Sequence, residues 1–465
     1  MCLMLCSLST VAQVSNDTLY FEEYFSTVVK NHPILKRAEL LSKQSEAYNL
    51  KAKSIWDPKV NSALDRKSFD GKTYFNKFKV ASTFPTSFAV QGLVEYETNE
   101  GQFLNPEQNV PGNGLLGAGL KLPLLRGLIF DERRNIMQEA EIISSLNSIK
   151  QKQKINELFA KATKAYIDWQ VASAKEEISK LGLKLSEDRL RIAKDIFESG
   201  DGPALDTIEA SMDLTERKIS LQESILNRVQ AELNISLFLW DENMNPLETN
   251  EGINPEKLAS NFLNQTFLAS KISINQNNSN LPQLKLLEGK ISQLQLKERL
   301  LKENTKPQLD IKWMPWQMDV NQISDALSIR ENYKIGFDFE ASIFNRKAKA
   351  DLQLNQLKIQ DQTIALIEQK QKFNILFQQI NSEIEMYTRN IEKLFQNITA
   401  SKQLLEAENI KFSIGESSIF LLNKRELKVL DSTQKHISTI AKLVKRRIDY
   451  IATSMQIDII EELTN

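Results

Sequence analysis

The chain says nearly the same thing twice. Residues 31–60 read NHPILKRAELLSKQSEAYNLKAKSIWDPKV, and residues 280–309 read NLPQLKLLEGKISQLQLKERLLKENTKPQL in the same register. Pro33 aligns with Pro282 and Pro58 with Pro307, while Leu35, Lys36, Glu39 and Lys53 recur as Leu284, Lys285, Glu288 and Lys302. In each copy one proline opens a helical stretch, where a missing N–H costs little, and a second stops it. A period of roughly 250 residues is too long for a solenoid. It points to one structural unit duplicated and fused, giving two pseudo-equivalent halves.

After Pro58 and Pro307 the apolar period changes from helical to two. Tyr333, Ile335, Phe337 and Phe339 alternate with Lys334, Gly336, Asp338 and Glu340; Leu116, Ala118, Leu120 and Leu122 alternate with Gly117, Gly119 and Lys121. Such strands have one apolar and one polar face. They fit either a sheet lying on a soluble core or the wall of a barrel with lipid outside and water inside. The second half predicts strands at 308–313 and 332–340. The first half predicts more, at 59–66, 74–84, 88–98 and 115–122, with a turn at Pro85-Thr86-Ser87. Alternation alone allows either an extra hairpin there or one long bent strand. Residues 101–114 form a turn-rich loop, and Tyr74, Trp313 and Trp316 are candidates for an interfacial aromatic belt.

Beyond the strands, apolar residues return to steps of three and four. Phe373, Phe377, Ile380, Ile384, Tyr387, Ile391, Leu394, Ile398 and Leu405 make one heptad seam, and Ile155, Phe159, Ala162, Tyr166 and Trp169 another, continued by Ile178, Leu181 and Leu185. Uninterrupted helices are predicted over 131–199 and 345–413, each on the order of 100 Å long at about 1.5 Å per residue. Both stop at a glycine, Gly200 and Gly415, and new helices begin near Pro203 and Ser417. Each half is therefore a long antiparallel helical hairpin. Heptads alone also suit a soluble coiled-coil spacer.

Composition excludes several classes. The formal net charge of −1 leaves no basic field for nucleic acid. Cys2 and Cys6 are the only cysteines, so neither a disulfide framework nor a cysteine metal site exists beyond them. His32 and His436 are the only histidines, each expected on a helix surface rather than as a metal ligand. Residues 1–12, MCLMLCSLSTVA, resemble the apolar core and cleavage site of a signal peptide, without the usual basic start. No later stretch of about 18 apolar residues would make a membrane helix. Phosphate-cradling glycine loops, HExxH and GxSxG are absent, so no cofactor and no enzymatic activity is expected.

The order of helix, strands, very long helix, glycine turn and returning helix, run through twice, resembles the TolC-like outer-membrane efflux and secretion ducts over essentially the whole mature chain. The motifs carrying the resemblance are NHPILK at Pro33, Trp56-Asp57-Pro58 before the first strand, Leu122-Pro123-Leu124-Leu125-Arg126-Gly127 after the last, the weaker Ser342-Ile343-Phe344-Asn345-Arg346, and the Phe-x-x-Gly turns at Gly200 and Gly415.

The resemblance implies an α+β membrane protein. Three chains would share one outer-membrane β-barrel, continued by a long periplasmic α-helical barrel, with two structural repeats per chain. The expected organisation is a signal peptide at 1–12, a first-repeat helix at 13–57, barrel strands at 58–125 and a helical hairpin at 126–240. A linker or equatorial segment follows at 241–280. The second repeat has its helix at 281–306, strands at 307–344 and hairpin at 345–465.

The implied partners are a homotrimer, outer-membrane lipid, a periplasmic membrane-fusion adaptor and an inner-membrane pump of RND or ABC type. The tips Gly200, Asp201, Gly202 and Gly415, Glu416, Ser417, Ser418 are the expected docking sites. The family's constriction positions fall on Asp206 and Glu209 and, in the second half, on Leu421 and Lys424, which are not acidic. Asp206 and Glu209 are expected to form an acidic ring, with Lys424 or Arg425 of a neighbouring helix as counter-charges. The alternative of another class is a soluble periplasmic coiled-coil scaffold.

Overall fold

Pro33 and Pro58 bracket a helix and then a strand, and Pro282 and Pro307 do the same. In a computed structural model, which describes residues 18–247, 253–258, 281–319 and 332–454, α2 (Pro33–Lys53) precedes β2 (Lys59–Phe69), and α5 (Pro282–Asn304) precedes β7 (Gln308–Asp319). The segment expected as one helix over 13–57 is interrupted: a short β1 (Thr18–Leu19) and α1 (Phe21–Asn31) come before α2. The break is at His32, whose Nδ1 accepts the Ile34 N–H at 3.1 Å and so caps α2. His32 is buried between the rings of Phe238 and Trp240 rather than lying on a helix surface. Residues 1–12 and most of 241–280 lie outside the described residues.

The chain falls into two units. One comprises residues 40–150 and 283–370 and holds the sheet. Its strands, among the described residues, are β2, β3 (Lys72–Pro85), β4 (Gln91–Glu100), β5 (Leu115–Pro123), β7 and β8 (Lys334–Glu340), hydrogen-bonded in that order and antiparallel throughout. The first half thus contributes an extra hairpin and not one bent strand. Its turn is Asp70-Gly71, with φ of 52° and 70°, the left-handed pair that a two-residue hairpin requires. Between β5 and β7 the register shifts by one residue, where Met314 and Pro315 oppose Gly119. A side chain at Gly119 would come within 2.3 Å of the Trp313 carbonyl oxygen, so only glycine fits this bulge. Below the sheet, Asn147 Nδ2 donates to Ser45 Oγ at 3.1 Å, joining α3 (Glu132–Glu198) to α2. Asn355 Nδ2 donates to the Leu294 carbonyl at 2.9 Å, joining α6 (Arg346–Ser413) to α5.

The other unit comprises residues 1–39, 151–282 and 371–465. Its core gathers Phe21, Tyr24 and Phe25 of α1, Phe159, Tyr166 and Trp169 of α3, Ile235 of α4 (Ala204–Ser236), and Ile448 and Ile451 of α7 (Ile419–Ser454). Each such side chain contributes about 1.5–3 kcal/mol. Tyr24 donates to the Ala162 carbonyl at 3.2 Å and Tyr166 to that of Leu19 at 2.6 Å; burial pushes both phenols up from their ordinary pKa. Thr18 and Leu19 pair in parallel with Asn254 and Pro255 of β6 (Asn254–Pro255).

The heptad seams turn inward as expected at Phe373, Phe377, Ile380, Ile384 and Ile398, and at Phe159, Ala162, Tyr166 and Trp169. They do not at Leu181, which is 51% exposed. Gly182 takes the inward place: a Cβ there would lie 3.2 Å from Leu430, so the missing side chain lets α7 approach α3.

Candidate functional site

Register converts alternation into two surfaces. Following the strand partners across the sheet, one face carries Val60 and Leu64, then Phe78, Val80 and Phe84, then Val94 and Tyr96, then Leu116, Leu120 and Leu122, then Leu309, Ile311 and Trp313, and finally Ile335, Phe337 and Phe339. Among the described residues nothing covers its flanks: Phe337 is 64% exposed and Phe339 67%. Trp313 lies on this face beside Leu120 and Ile335. Tyr74 instead stacks on Phe103 at 4.6 Å beside the Asp70-Gly71 turn, and the Trp316 side chain lies outside what the structure describes.

The opposite face is laddered with charges. Lys79 meets Glu95 at 2.6 Å across β3 and β4, Lys121 meets Asp310 at 2.8 Å across β5 and β7, and Lys312 meets Asp338 at 3.1 Å across β7 and β8. A sheet with a greasy exposed side and an ion-paired side is suited to lipid on one and water on the other.

The two tips lie at the far ends of α3 and α6. They are built alike. At the first, the Asp201 N–H donates to the Ile196 carbonyl and the Gly200 N–H to that of Phe197; at the second, Glu416 donates to Lys411 and Gly415 to Phe412. These paired bonds close each helix through a glycine with φ of +79° or +77°. No atom stands within 4 Å of a Cβ built on either glycine, so each is required for its backbone angle alone. Asp201, Glu416 and Ser418 are exposed, and Ser418 accepts the Leu421 N–H at the start of α7. Gly202 is tucked against Ile196, and the half-buried Ser417 donates to Glu408 Oε1 at 2.6 Å.

Ala193, Ala210 and Ile419, with Leu190, Ile196 and Phe412, form one small cluster that brings both tips together. Deeper, Arg189 of α3 is held by three partners. Its Nη1 donates to Asn423 Oδ1 of α7 at 2.8 Å and lies 3.5 Å from Asp213 Oδ2 of α4; its Nη2 pairs with Glu426 of α7. Burial lowers the Arg189 pKa, and Asp213 opposes that shift. No sequence pattern singled this network out, because its members come from three helices far apart in the chain.

Asp206 is half-buried and Glu209 exposed, both on the first turns of α4. Leu421 and Lys424 are exposed on α7. Within one chain, Asp206, Glu209 and Lys424 make no ion pair with a described residue. Arg425, one of the two expected counter-charges, is engaged by Glu408 at 3.3 Å. The side of α4 carrying Leu205, Met212, Ile219, Leu226 and Leu233, one every seven residues, is exposed among the described residues. That seam was legible in the spacing.

No protein-family model matches the chain, and no curated protein matches it by sequence. Solved structures do match. The outer membrane channel CmeC of Campylobacter jejuni is 13% identical with a TM-score of 0.62, over 94% of this chain and 85% of its own. The outer membrane protein VceC of Vibrio cholerae is 10% identical with a TM-score of 0.64, over 93% of this chain and 95% of its own. The MtrE outer membrane channel of Neisseria gonorrhoeae, in its open state, is 15% identical with a TM-score of 0.61, over 93% and 88%. The chain has the fold of the TolC-like outer-membrane channels.

Proposed function

We propose that the chain is a passive exit duct in the bacterial outer membrane, serving a tripartite efflux or type I secretion system. Three copies would share one barrel and extend it with their helices into the periplasm. An adaptor would dock at the tips around Gly200–Gly202 and Gly415–Ser418, and an RND or ABC pump in the inner membrane would supply the energy. The reading involves no catalysis. Asp206 and Glu209 of three copies would line the periplasmic mouth, with Leu421 and Lys424 beside them.

One observation carries this reading: among the described residues the register gives one face of the six strands a mainly apolar band, interrupted by Ser62, Ser82 and Thr98, and the other face cross-strand ion pairs. A soluble scaffold would leave Phe337, Phe339, Val60 and Leu64 in water. The exposed heptad seam on α4 likewise calls for a neighbour.

The test is reconstitution. The detergent-purified chain should run as a trimer and open discrete conductances in planar bilayers. A chain that is monomeric and soluble without detergent, and leaves bilayers silent, would end the proposal.

A further inference from the structure

We propose that His32 is an acid-sensitive clamp: as a neutral imidazole it fastens the joint between α1 and α2 to the end of α4, and on protonation it lets both go. All of its partners lie in one unit of the chain, and the clamp does not depend on the duct reading.

The wiring of the ring comes first. Helix ends leave N–H groups and carbonyls without partners, and His32 serves one of each. Its Nδ1 accepts the Ile34 N–H at 3.1 Å, on the first turn of α2. Its own N–H meets the carbonyl of Leu237, the residue that ends α4. With Nδ1 an acceptor, the proton must sit on Nε2, so the two bonds together require a neutral ring in one tautomer. Protonation at Nδ1 would aim a second N–H at the Ile34 N–H, donor against donor, at the positive end of α2.

The ring also has no room to escape. His32 is 7% exposed, with the ring centroids of Phe238 and Trp240 at 6.0 and 6.1 Å. Turning away from Ile34 therefore means displacing these rings. Trp240 Nε1 donates to the same Leu237 carbonyl at 3.0 Å, Trp240 bridges to Pro246, and the Leu247 N–H donates to the Leu239 carbonyl. A displaced imidazole thus loosens residues 237–247 along with the start of α2.

Charges nearby do not rescue an imidazolium. Lys30 of α1 and Lys36 and Arg37 of α2 are cations, all exposed. Glu232 of α4 is paired with Arg228 at 2.7 Å. The Asp241 carboxylate, just past α4, accepts from the Asn243 and Asn245 N–H groups and from the Asn245 side chain. Burial pushes the imidazole below its ordinary pKa, against the pull of the Leu237 carbonyl. The folded chain therefore takes up this proton less readily than the unfolded chain. The clamp is whole above the ordinary value of about 6.5 and weakens as pH falls below it.

Hydrogen exchange on the detergent-purified full chain tests the clamp, with rates corrected for their intrinsic pH dependence. Between about pH 7.5 and about pH 5, protection over residues 33–37 and 237–247 should fall about tenfold, the equivalent of one pKa unit. Ile384 to Ile398 of α6 should hold steady. His32→Asn keeps an acceptor for the Ile34 N–H but has no proton to gain in this range, so its protection should be insensitive to acid. No loss in the native chain, or an equal loss in His32→Asn, overturns the clamp.

Nitrogen NMR of the histidine-labelled His436→Gln chain reads His32 directly and does not rely on His32→Asn folding. The ring should be neutral with Nδ1 bare at about pH 7.5 and gain its proton below about 6.5. A ring still neutral at about pH 5, or one that protonates with no loss of protection, also overturns the clamp. Either result leaves the duct reading untouched.

Discussion

Arg189 on α3 donates to the side chain of Asn423 on α7 at 2.8 Å, and so ties the first helical hairpin to the second a few turns from the tips. The same guanidinium serves Asp213 and Glu426, and its side chain is only 6% exposed. Removing one member of a buried charge cluster leaves the others unpaired, at a cost of about 3–5 kcal/mol. Arg189→Ala should lower the thermal midpoint clearly. The combined Arg189→Met, Asp213→Leu, Glu426→Leu variant should lose less, because the guanidinium and both its carboxylates go together, while the part-exposed Arg217 and the Ser186 hydroxyl each lose a partner. Equal losses in a thermal-shift assay would show that the cluster is not acting as an ionic unit.

Glu408 gives the second tip a pH dependence. The Ser417 hydroxyl, and after it Arg425, hold its carboxyl below the usual range. A depressed carboxylate stabilises fully above its unfolded value of about 4.3 and stops doing so as pH falls through its lower folded value. Hydrogen exchange over residues 414–422, corrected for intrinsic rates, should therefore rise below about pH 4. In Glu408→Gln the protection should be lower at neutral pH and nearly insensitive to acid.

Glycines in the sheet are unequal. Gly119→Ala would force a Cβ to 2.3 Å from the Trp313 carbonyl oxygen and 2.6 Å from the Met314 Cα, both backbone, so β5 and β7 must separate. Gly336→Ala meets nothing within 4 Å. Folded yield in the membrane fraction should collapse for the first and hold for the second.

The two faces of β8 should respond differently to the same charge. Phe337→Lys places an ammonium on the apolar band and should destabilise by about 2–4 kcal/mol if it lies near mid-membrane. Asp338→Lys should leave stability nearly intact and shift the reversal potential toward anions. Urea unfolding in vesicles and bilayer recordings read the two effects separately.

At the proposed mouth, Asp206→Ala with Glu209→Ala should reduce cation preference, since carboxylates gathered around a narrow pore favour cations. Unchanged selectivity and conductance would place the constriction elsewhere.

Much of this architecture could be read from residue order. The duplicated prolines, the period-two stretches and the two glycine stops are local features, and local features survive in a sequence. Alternation alone leaves the extra hairpin open against one long bent strand; Asp70-Gly71, between two alternating runs, is the local feature that decides it. What escaped depends on distant partners. His32 is buried because Phe238 and Trp240 close over it, and Leu181 is exposed because Gly182 draws α7 toward its own side of α3. Arg189 has no short-range pattern around it. Of the residues proposed for the mouth, Asp206 and Glu209 sit on the first turns of α4, whereas Arg425, offered as a counter-charge, is taken by Glu408 of its own chain.

The turns at Gly200 and Gly415 are closed by main-chain atoms. The side chains of Asp201 and Glu416 consequently have no part in holding the hairpins shut. Evolution, or an engineer, can rewrite those two side chains without disturbing the rods behind them.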